Sequence, residues 1–191
     1  MFRRTFYDDR MMFLLRMLMR RGRGPAMDPL QVSMTGVRMG ERFLLIGCHD
    51  RALLSGLAAK VGLSGTAAVA AFDAQQAERA AKVGAKVGAL IETHRVEGLA
   101  LPFDSDQFDM VVVDDTNGAF GKIDETTRVA YLRDARRAVR NGGRIEVVER
   151  VEARAPGYDA LRDLTAAGFK PVRLLAEKDG LRFLEGLRTQ S

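Results

Sequence analysis

The sequence predicts an α/β fold: an open, mostly parallel, doubly wound sheet that ends in an antiparallel hairpin. Short apolar runs alternate with helix-like segments between residues 42 and 149. Strands separated by helices imply right-handed crossovers and parallel pairing. The last two apolar runs, Phe169–Ala176 and Leu181–Leu187, are joined by only four residues. Because a connection that short permits only an antiparallel pair, the sheet is predicted to finish in a hairpin.

The first strand and the helix after it are the most informative part of this pattern. The apolar run Phe43–Ile46 leads directly into Gly47, and a helix-like segment, Arg51–Val61, follows. In open α/β sheets, ligands bind outside the carboxyl ends of the strands, where helix N-termini offer unpaired N–H groups. The loop after this strand is therefore the predicted position of a nucleotide-like cofactor.

The remaining elements continue the alternation. A run of one or two helical turns is predicted over Pro29–Thr35, and Asn141-Gly142-Gly143 is expected to end a helix, since glycine readily adopts a left-handed conformation. Strands are predicted over Thr66–Phe72, Ala89–Arg95, Phe108–Val113 and Arg144–Glu149, and helices over Ala74–Gly88, Asp124–Arg140 and Tyr158–Ala167.

The charge distribution divides the chain into an N-terminal arm and a body. Residues 1–24 hold seven arginines and two aspartates, so this arm carries the whole net charge of +5 and the body is neutral. A nucleic-acid-binding body would carry its own basic face, so no nucleic-acid partner is expected. The predicted organisation is a basic amphipathic arm over 1–24, a linker and lead-in over 25–40, and one domain over 41–191.

Two interpretations of the arm stay open. On a helix, six of its apolar residues fall within an arc of about 160°, and several arginines lie opposite. The apolar face either caps the domain or pairs with a second copy in a homodimer, or else the helix lies on an anionic membrane surface or covers a lipophilic substrate. The six apolar residues are Met11, Met12, Leu14, Leu15, Leu18 and Met19.

Cysteine content and hydropathy predict the compartment. Cys48 is the single cysteine, which fits a reducing cytoplasm. No apolar run approaches the roughly 20 residues that span a bilayer. The expected location is cytoplasmic, with peripheral contact at the inner face of the membrane if the arm binds lipid.

Three acidic residues follow three successive strands of the predicted sheet. Asp73 could accept both hydroxyls of a ribose, Glu97 could accept from a purine amine, and Asp114 lies at the mouth of the crevice. Each could instead be a helix N-cap or a solvated loop residue, and Asp73 does precede a helix. Three such acids at one sheet edge favour a nucleoside site.

Three segments carry a resemblance to a known family. They are V-E-G-L-A-L-P-F-D-S-D-Q-F-D-M-V-V-V (Val96–Val113), L-R-D-A-R-R-A-V-R-N-G-G-R-I-E-V-V-E (Leu132–Glu149) and A-A-G-F-K-P-V (Ala166–Val172). In this order, from about Gly40 to Leu187, the chain resembles class I S-adenosylmethionine-dependent methyltransferases with a Rossmann-like fold. Within that class it is most similar to the small branch that includes the quinone-biosynthesis methyltransferases.

The resemblance implies S-adenosylmethionine as the cofactor and assigns roles by position. Gly47 would be the first glycine of the cofactor loop, Asp73 would hold the ribose, Glu97 the adenine amine, and Gly98 would offer a backbone N–H to the ring. Asp114 would border the methionine moiety and the substrate. The full predicted cofactor-binding set is Gly47, Cys48, His49, Asp73, Ala74, Glu97, Gly98 and Asp114, with no metal ligand among them.

The loop departs from the family pattern of an acid, any residue, and then three alternating glycines. Leu45 stands at the acid, and His49 and Arg51 stand at the second and third glycines. His49 could replace a lost contact, since imidazole can donate to a carboxylate. Cys48 is interpreted as a small packing residue rather than a nucleophile.

Two functions follow from these residues. The first is methyl transfer to a small, lipophilic acceptor, a reaction for which positioning can suffice without a general base. Asp114 and Asp115 are the only candidates for a base, and Asn117 and Lys122 lie in the same loop. The second is a catalytically degenerate methyltransferase fold that serves as a binding or assembly module. A nicotinamide-dependent dehydrogenase is disfavoured by the terminal hairpin and the single loop glycine.

Overall fold

A computed structural model of the chain describes residues 29–189, so the predictions for the arm over 1–24 lie outside the described residues. The strands are β1 (Arg42–Ile46), β2 (Thr66–Ala71), β3 (Ile91–Arg95), β4 (Phe108–Asp115), β5 (Val139–Arg150), β6 (Val172–Lys178) and β7 (Leu181–Leu187). The α-helices are α1 (Pro29–Met34), α2 (Arg51–Val61), α3 (Ala74–Val87), α4 (Glu125–Ala138) and α5 (Ala160–Ala166), and a 3-10 turn spans Val151–Ala153.

The sheet has the predicted topology. Its seven strands follow the order β3-β2-β1-β4-β5-β7-β6. The first five are parallel, and β7 runs antiparallel to both β5 and β6. The hairpin turn is Asp179-Gly180, and both residues have positive φ (53° and 74°), as a two-residue turn of the favoured hand requires. The prediction of a parallel sheet finished by a hairpin is confirmed.

Both faces of the sheet are covered, which explains the continuous apolar runs of its central strands. Phe43 and Leu45 of β1 pack with residues of α2 and α3 in one cluster. Leu44 and Ile46 point to the other face, where they pack in a cluster with residues of α4 and α5. Successive side chains of β1 therefore contribute to two separate cores, one on each side of the sheet.

Several predicted boundaries are wrong. The strand expected over Phe169–Ala176 spans Val172–Lys178, so two residues and not four join the hairpin, and β4 runs to Asp115 instead of Val113.

The largest difference is at the end of α4. The helix expected over Asp124–Arg140 ends at Ala138, and β5 begins at Val139 instead of Arg144. Val139 is buried and pairs with Phe108 of β4, and the next pair in register is Met110 with Arg144. Asn141-Gly142-Gly143 therefore lies within an irregularity of the strand and does not end a helix.

The register brings the carboxyl ends of the parallel strands to one edge. Ile46 pairs with Val113, Ala71 with Arg95, and Asp115 with Glu149. The loops after β1, β2, β3 and β4 therefore share this edge, which is where the predicted site residues occur. Between residues 29 and 189, no helix has the length and apolar content needed to cross a membrane.

Candidate functional site

The loop after β1 is shaped by Gly47 and Asp50. Gly47 has a φ of +79°, and a Cβ at this position would lie 3.3 Å from the backbone oxygen of Asp114. Both features favour glycine. Asp50 caps α2, because its Oδ1 accepts the N–H groups of Ala52 at 2.7 Å and Leu53 at 3.2 Å.

Asp114 fastens this loop to the end of β4. Its Oδ2 accepts the backbone N–H groups of His49 at 2.6 Å and Asp50 at 2.7 Å. Its Oδ1 accepts the N–H of Thr116 at 3.2 Å and the hydroxyl at 2.6 Å. Asp114 thus lies beside the cofactor loop as predicted, but its side chain is buried and its oxygens are used within the protein.

Asp115, the other candidate base, is also buried. Its Oδ1 accepts the N–H groups of Phe120 at 2.8 Å and Gly121 at 3.2 Å, and its Oδ2 has no partner among the described residues. Burial raises the pKa of this carboxyl to about 6. Since neither Asp114 nor Asp115 is exposed, the structure assigns neither of them as a general base for a substrate in the crevice.

His49 joins the β1 loop to the first turn of α3 and to the loop after β4. Its Nδ1 lies 2.8 Å from the side-chain nitrogen of Asn117, and its Nε2 lies 3.4 Å from the side-chain nitrogen of Gln76. The oxygens of both amides already accept backbone N–H groups, from Ala119 and Phe72 respectively. Both ring nitrogens therefore face amide N–H donors, and the shorter contact favours Nδ1 as the acceptor.

Cys48 lies beneath the loop and is fully buried. Burial, followed by the nearby Asp114, raises the pKa of its thiol to about 12, so the group stays a neutral thiol. The carbonyl oxygen of Cys48 accepts a hydrogen bond from the guanidinium of Arg79 on α3. These observations confirm a packing role for the Cys48 side chain.

Leu45 stands at the position where the family has an acidic residue, and its apolar side chain is compatible with the core there. The side chain is fully buried in the core under α2 and α3, on a strand whose neighbours at this level are Val69 and Val112. A carboxylate here would need compensating partners. The leucine adds apolar packing and leaves the loop without that acid.

The residues predicted to hold the nucleoside lie on the neighbouring strands. Asp73 caps α3 by accepting the N–H of Gln76 at 2.7 Å, and its side chain remains exposed, as does Ala74 at the start of that helix. Glu97 and Gly98 are exposed beyond β3, where Gly98 has a φ of +77° and its carbonyl accepts the hydroxyl of Tyr131 at 2.8 Å. The capping alternative for Asp73 is confirmed, and a ribose-binding role remains a prediction.

A pocket of about 410 Å³ opens beside the β1 loop. Three of its lining residues are arginines: Arg51 at the start of α2, Arg79 on α3 and Arg150 at the end of β5. Sequence reasoning missed Arg79 and Arg150. Arg150 directly follows a predicted strand and could have been found by the rule that found the acids, whereas nothing in the sequence singled out Arg79. The remaining lining residues are His49, Asp50, Thr116 and Asn117.

Solved structures with the same fold define the class of protein. A S-adenosylmethionine-dependent methyltransferase from Aquifex aeolicus superposes with a TM-score of 0.67 at 15% identity, over 85% of this chain and 95% of that chain. PigF with SAH gives a TM-score of 0.60 at 16% identity, over 77% of this chain and 50% of that chain. The [4+2]-cyclase SpnF gives a TM-score of 0.55 at 21% identity, over 77% of this chain and 56% of that chain. The fold is that of class I S-adenosylmethionine-dependent methyltransferases.

A family model narrows this class. The model of the ubiE/COQ5 methyltransferase family matches residues 28–186, and the chain belongs to that family. Membership confirms the resemblance stated from the sequence, the methyltransferase class of enzyme, and S-adenosylmethionine as the cofactor. A search of curated proteins found no match.

The site fits the two halves of this cofactor differently. For the nucleoside half, two exposed carboxylates, Asp73 and Glu97, stand at the sheet edge as predicted. For the methionine half, the N–H groups of His49 and Asp50 are already bound by Asp114. The groups left to hold a carboxylate there are the arginines of the pocket.

Proposed function

We propose that this protein transfers the methyl group of S-adenosylmethionine to a small, lipophilic acceptor. The observation that carries the proposal is the placement of Asp73, Glu97 and Gly98, exposed on adjacent loops at the edge where Gly47 turns the chain. Asp73 would accept the ribose hydroxyls, Glu97 the adenine amine, and the N–H of Gly98 would bind the ring.

The residues of this chain would act by position and not by proton transfer. A bound sulfonium supplies an electrophilic methyl group, and direct displacement needs the acceptor held in line at close range. Asp114 supports this by fixing the β1 loop through two hydrogen bonds and the start of the loop after β4 through two more, both from Thr116. Exclusion of water from the crevice would favour the transfer further.

The N-terminal arm is the proposed cover for the acceptor. Gln31 of α1 donates a hydrogen bond to Asp50 at 3.2 Å, so the chain enters the described residues beside the pocket. The arm that precedes it is apolar and arginine-rich. Such a segment would cover a lipophilic acceptor, contact an anionic membrane or pair with a second copy of the chain.

A second candidate function is a binding or assembly module that has lost methyl transfer. Leu45, His49 and Arg51 favour it, because each replaces a residue that the family uses at the cofactor loop. SpnF, whose fold this chain shares, is a cyclase, so the fold alone does not define the reaction.

Transfer of a labelled methyl group tests the proposal. The protein is incubated with tritium-labelled S-adenosylmethionine and a panel of small quinols and phenols, and label is counted in the organic extract. We expect transfer that is lost in Asp73→Ala and retained in Glu92→Gln, which removes an exposed carboxylate from β3 outside the site. Cofactor binding without transfer to any acceptor would favour the binding module.

A further inference from the structure

The pocket beside the β1 loop has a strong excess of positive charge. Arg51, Arg79 and Arg150 line it, and Asp50 is its one acidic lining residue. The carboxylate of Asp50 is already engaged, since its Oδ1 accepts two N–H groups of α2 and its Oδ2 accepts the amide of Gln31. Asp50 keeps its negative charge, but both of its oxygens already accept hydrogen bonds from groups other than the arginines.

Two of these arginines lack the partners that most others have. Guanidinium groups elsewhere on residues 29–189 are commonly paired, as Arg128 is with Asp163 at 2.7 Å and Arg173 with Glu185 at 2.7 Å. The guanidinium groups of Arg51 and Arg150 have no hydrogen bond or ion pair within that same part of the chain. These two guanidinium groups leave several N–H donors at one pocket without an acceptor. Guanidinium donors of this kind bind carboxylate and phosphate groups in pairs of hydrogen bonds.

The pocket extends along the sheet edge from α3, the helix that Asp73 caps and that carries Arg79, to the end of β5, which carries Arg150. Asp73 and Glu97 follow β2 and β3, whereas Arg150 ends β5, and the strand order is β3-β2-β1-β4-β5. An adenosine held over β2 and β3 would therefore leave the side towards β4 and β5 for a second molecule.

The cofactor alone does not balance the charge. S-adenosylmethionine has one carboxylate against an ammonium and a sulfonium, so it adds a net positive charge to a pocket where arginines outnumber aspartates three to one. Like charges held close together in one pocket repel one another. A second anion in the pocket would remove this repulsion.

We propose that the pocket of Arg51, Arg79 and Arg150 binds an anionic group, a carboxylate or a phosphate, carried by the methyl acceptor. The inference rests on the proposed function, because it names the substrate class of the same site. The acceptor is then an amphiphilic acid, whose apolar part lies towards the crevice while its anionic group is held by the guanidinium groups.

Matched aromatic probes test this inference. Phenol, benzoate and phenyl phosphate are titrated by calorimetry into protein saturated with S-adenosylhomocysteine. We expect the two anions to bind at least tenfold more tightly than phenol. In the double variant Arg51→Gln/Arg150→Gln, we expect anion affinity to fall by about tenfold or more, because charge-assisted hydrogen bonds are lost.

Arg95→Gln is the matched control. Arg95 is exposed at the end of β3 on the same sheet edge, but it lies outside the pocket, so anion affinity should stay unchanged. Equal binding of phenol and the anions, an equal loss in Arg95→Gln, or displacement of S-adenosylhomocysteine by the anions would each overturn the inference.

A separate result concerns the proposed function. Failure of S-adenosylhomocysteine itself to bind would overturn methyl transfer and, with it, the assignment of the anion to an acceptor. The preference of the free protein for phenyl phosphate over phenol would still decide whether the pocket binds anions.

Discussion

At the scale of single residues, Asp114 differs most from what its position suggested. The sequence placed a carboxylate at the mouth of the crevice, and the structure shows both of its oxygens occupied by donors of the β1 loop and of Thr116. Its position follows from the apolar run before it, but its partners depend on the direction of backbone N–H groups 64 and 65 residues away in the sequence. No local pattern encodes that direction.

Replacing Asp114 with alanine is expected to destabilise the fold. The change would leave buried donors of His49, Asp50 and Thr116 unpaired, so the free energy of unfolding should fall by about 3 kcal/mol. Asp73→Ala, which removes only an exposed helix cap, should cost about 1 kcal/mol. Urea unfolding measures both; equal losses in the two variants would show that Asp114 does not hold the loop.

At the scale of elements, the two glycine turns at the carboxyl edge of the sheet differ in how much space surrounds the glycine. Gly47 and Gly98 both have positive φ, but only Gly47 has backbone close to the position of a Cβ. Alanine at either residue should cost about 1–2 kcal/mol from its backbone angles. Gly47→Ala should cost more, because the central strand β4 cannot easily move away. Thermal unfolding of the two variants compares them, and a smaller loss in Gly47→Ala would contradict this explanation.

The pairing of β5 with β7 places Glu146 opposite Glu185. Burial, followed by the charge of Glu185, raises the pKa of Glu146 to about 9. The folded protein then binds a proton that the unfolded chain has released, so the free energy of unfolding should fall as pH rises from about 4.5 towards 9.

The variant Glu146→Gln isolates this contribution. Between pH 5 and pH 7 the wild type should lose up to about 2.7 kcal/mol through this carboxyl, and the glutamine variant should lack that loss. The exposed Glu152→Gln should behave as the wild type does. Urea unfolding at several pH values measures the difference. Parallel pH dependences in the wild type and Glu146→Gln would contradict the raised pKa.

Most elements were predictable because their signals are local. The apolar runs and the Asp179-Gly180 turn define the strands and the hairpin with little help from distant residues. The end of α4 was not predictable in this way. Val139 is drawn into the sheet by its pairing with Phe108, and that long-range contact outweighs the helical spacing of the preceding residues.

At the scale of the whole molecule, positive charge is concentrated in two places, the N-terminal arm and the arginine-lined pocket. The arm holds the net positive charge of the chain, and its attachment through α1 lies beside an arginine-lined pocket. Both would favour anionic ligands or an anionic surface.

Deletion of residues 1–23 is expected to change either the oligomeric state or vesicle binding. The arm is predicted to form an apolar helical face and holds seven arginines, which suit a partner copy or an anionic bilayer. Light scattering and sedimentation with vesicles of anionic phospholipid measure the two outcomes. A truncated protein that matches the full chain in both assays would exclude both roles for the arm.

The site as a whole was only half predictable. The nucleoside acids could be found because each directly follows a strand, and the fold brings strand ends to one edge. The pocket could not be found, since Arg79 reaches it from within a helix and His49 is positioned by two distant amides, Gln76 on α3 and Asn117 in the loop after β4.

The central claim is that a loop with His49 and Arg51 in place of two glycines still forms part of a working cofactor site. Calorimetric titration with S-adenosylmethionine and S-adenosylhomocysteine tests it most directly. We predict saturable binding of both ligands, weakened about tenfold or more in Asp73→Ala, where a charged acceptor for the ribose is lost. Absence of binding at millimolar ligand would contradict the claim, and binding that is unchanged in Asp73→Ala would contradict the assignment of the nucleoside site.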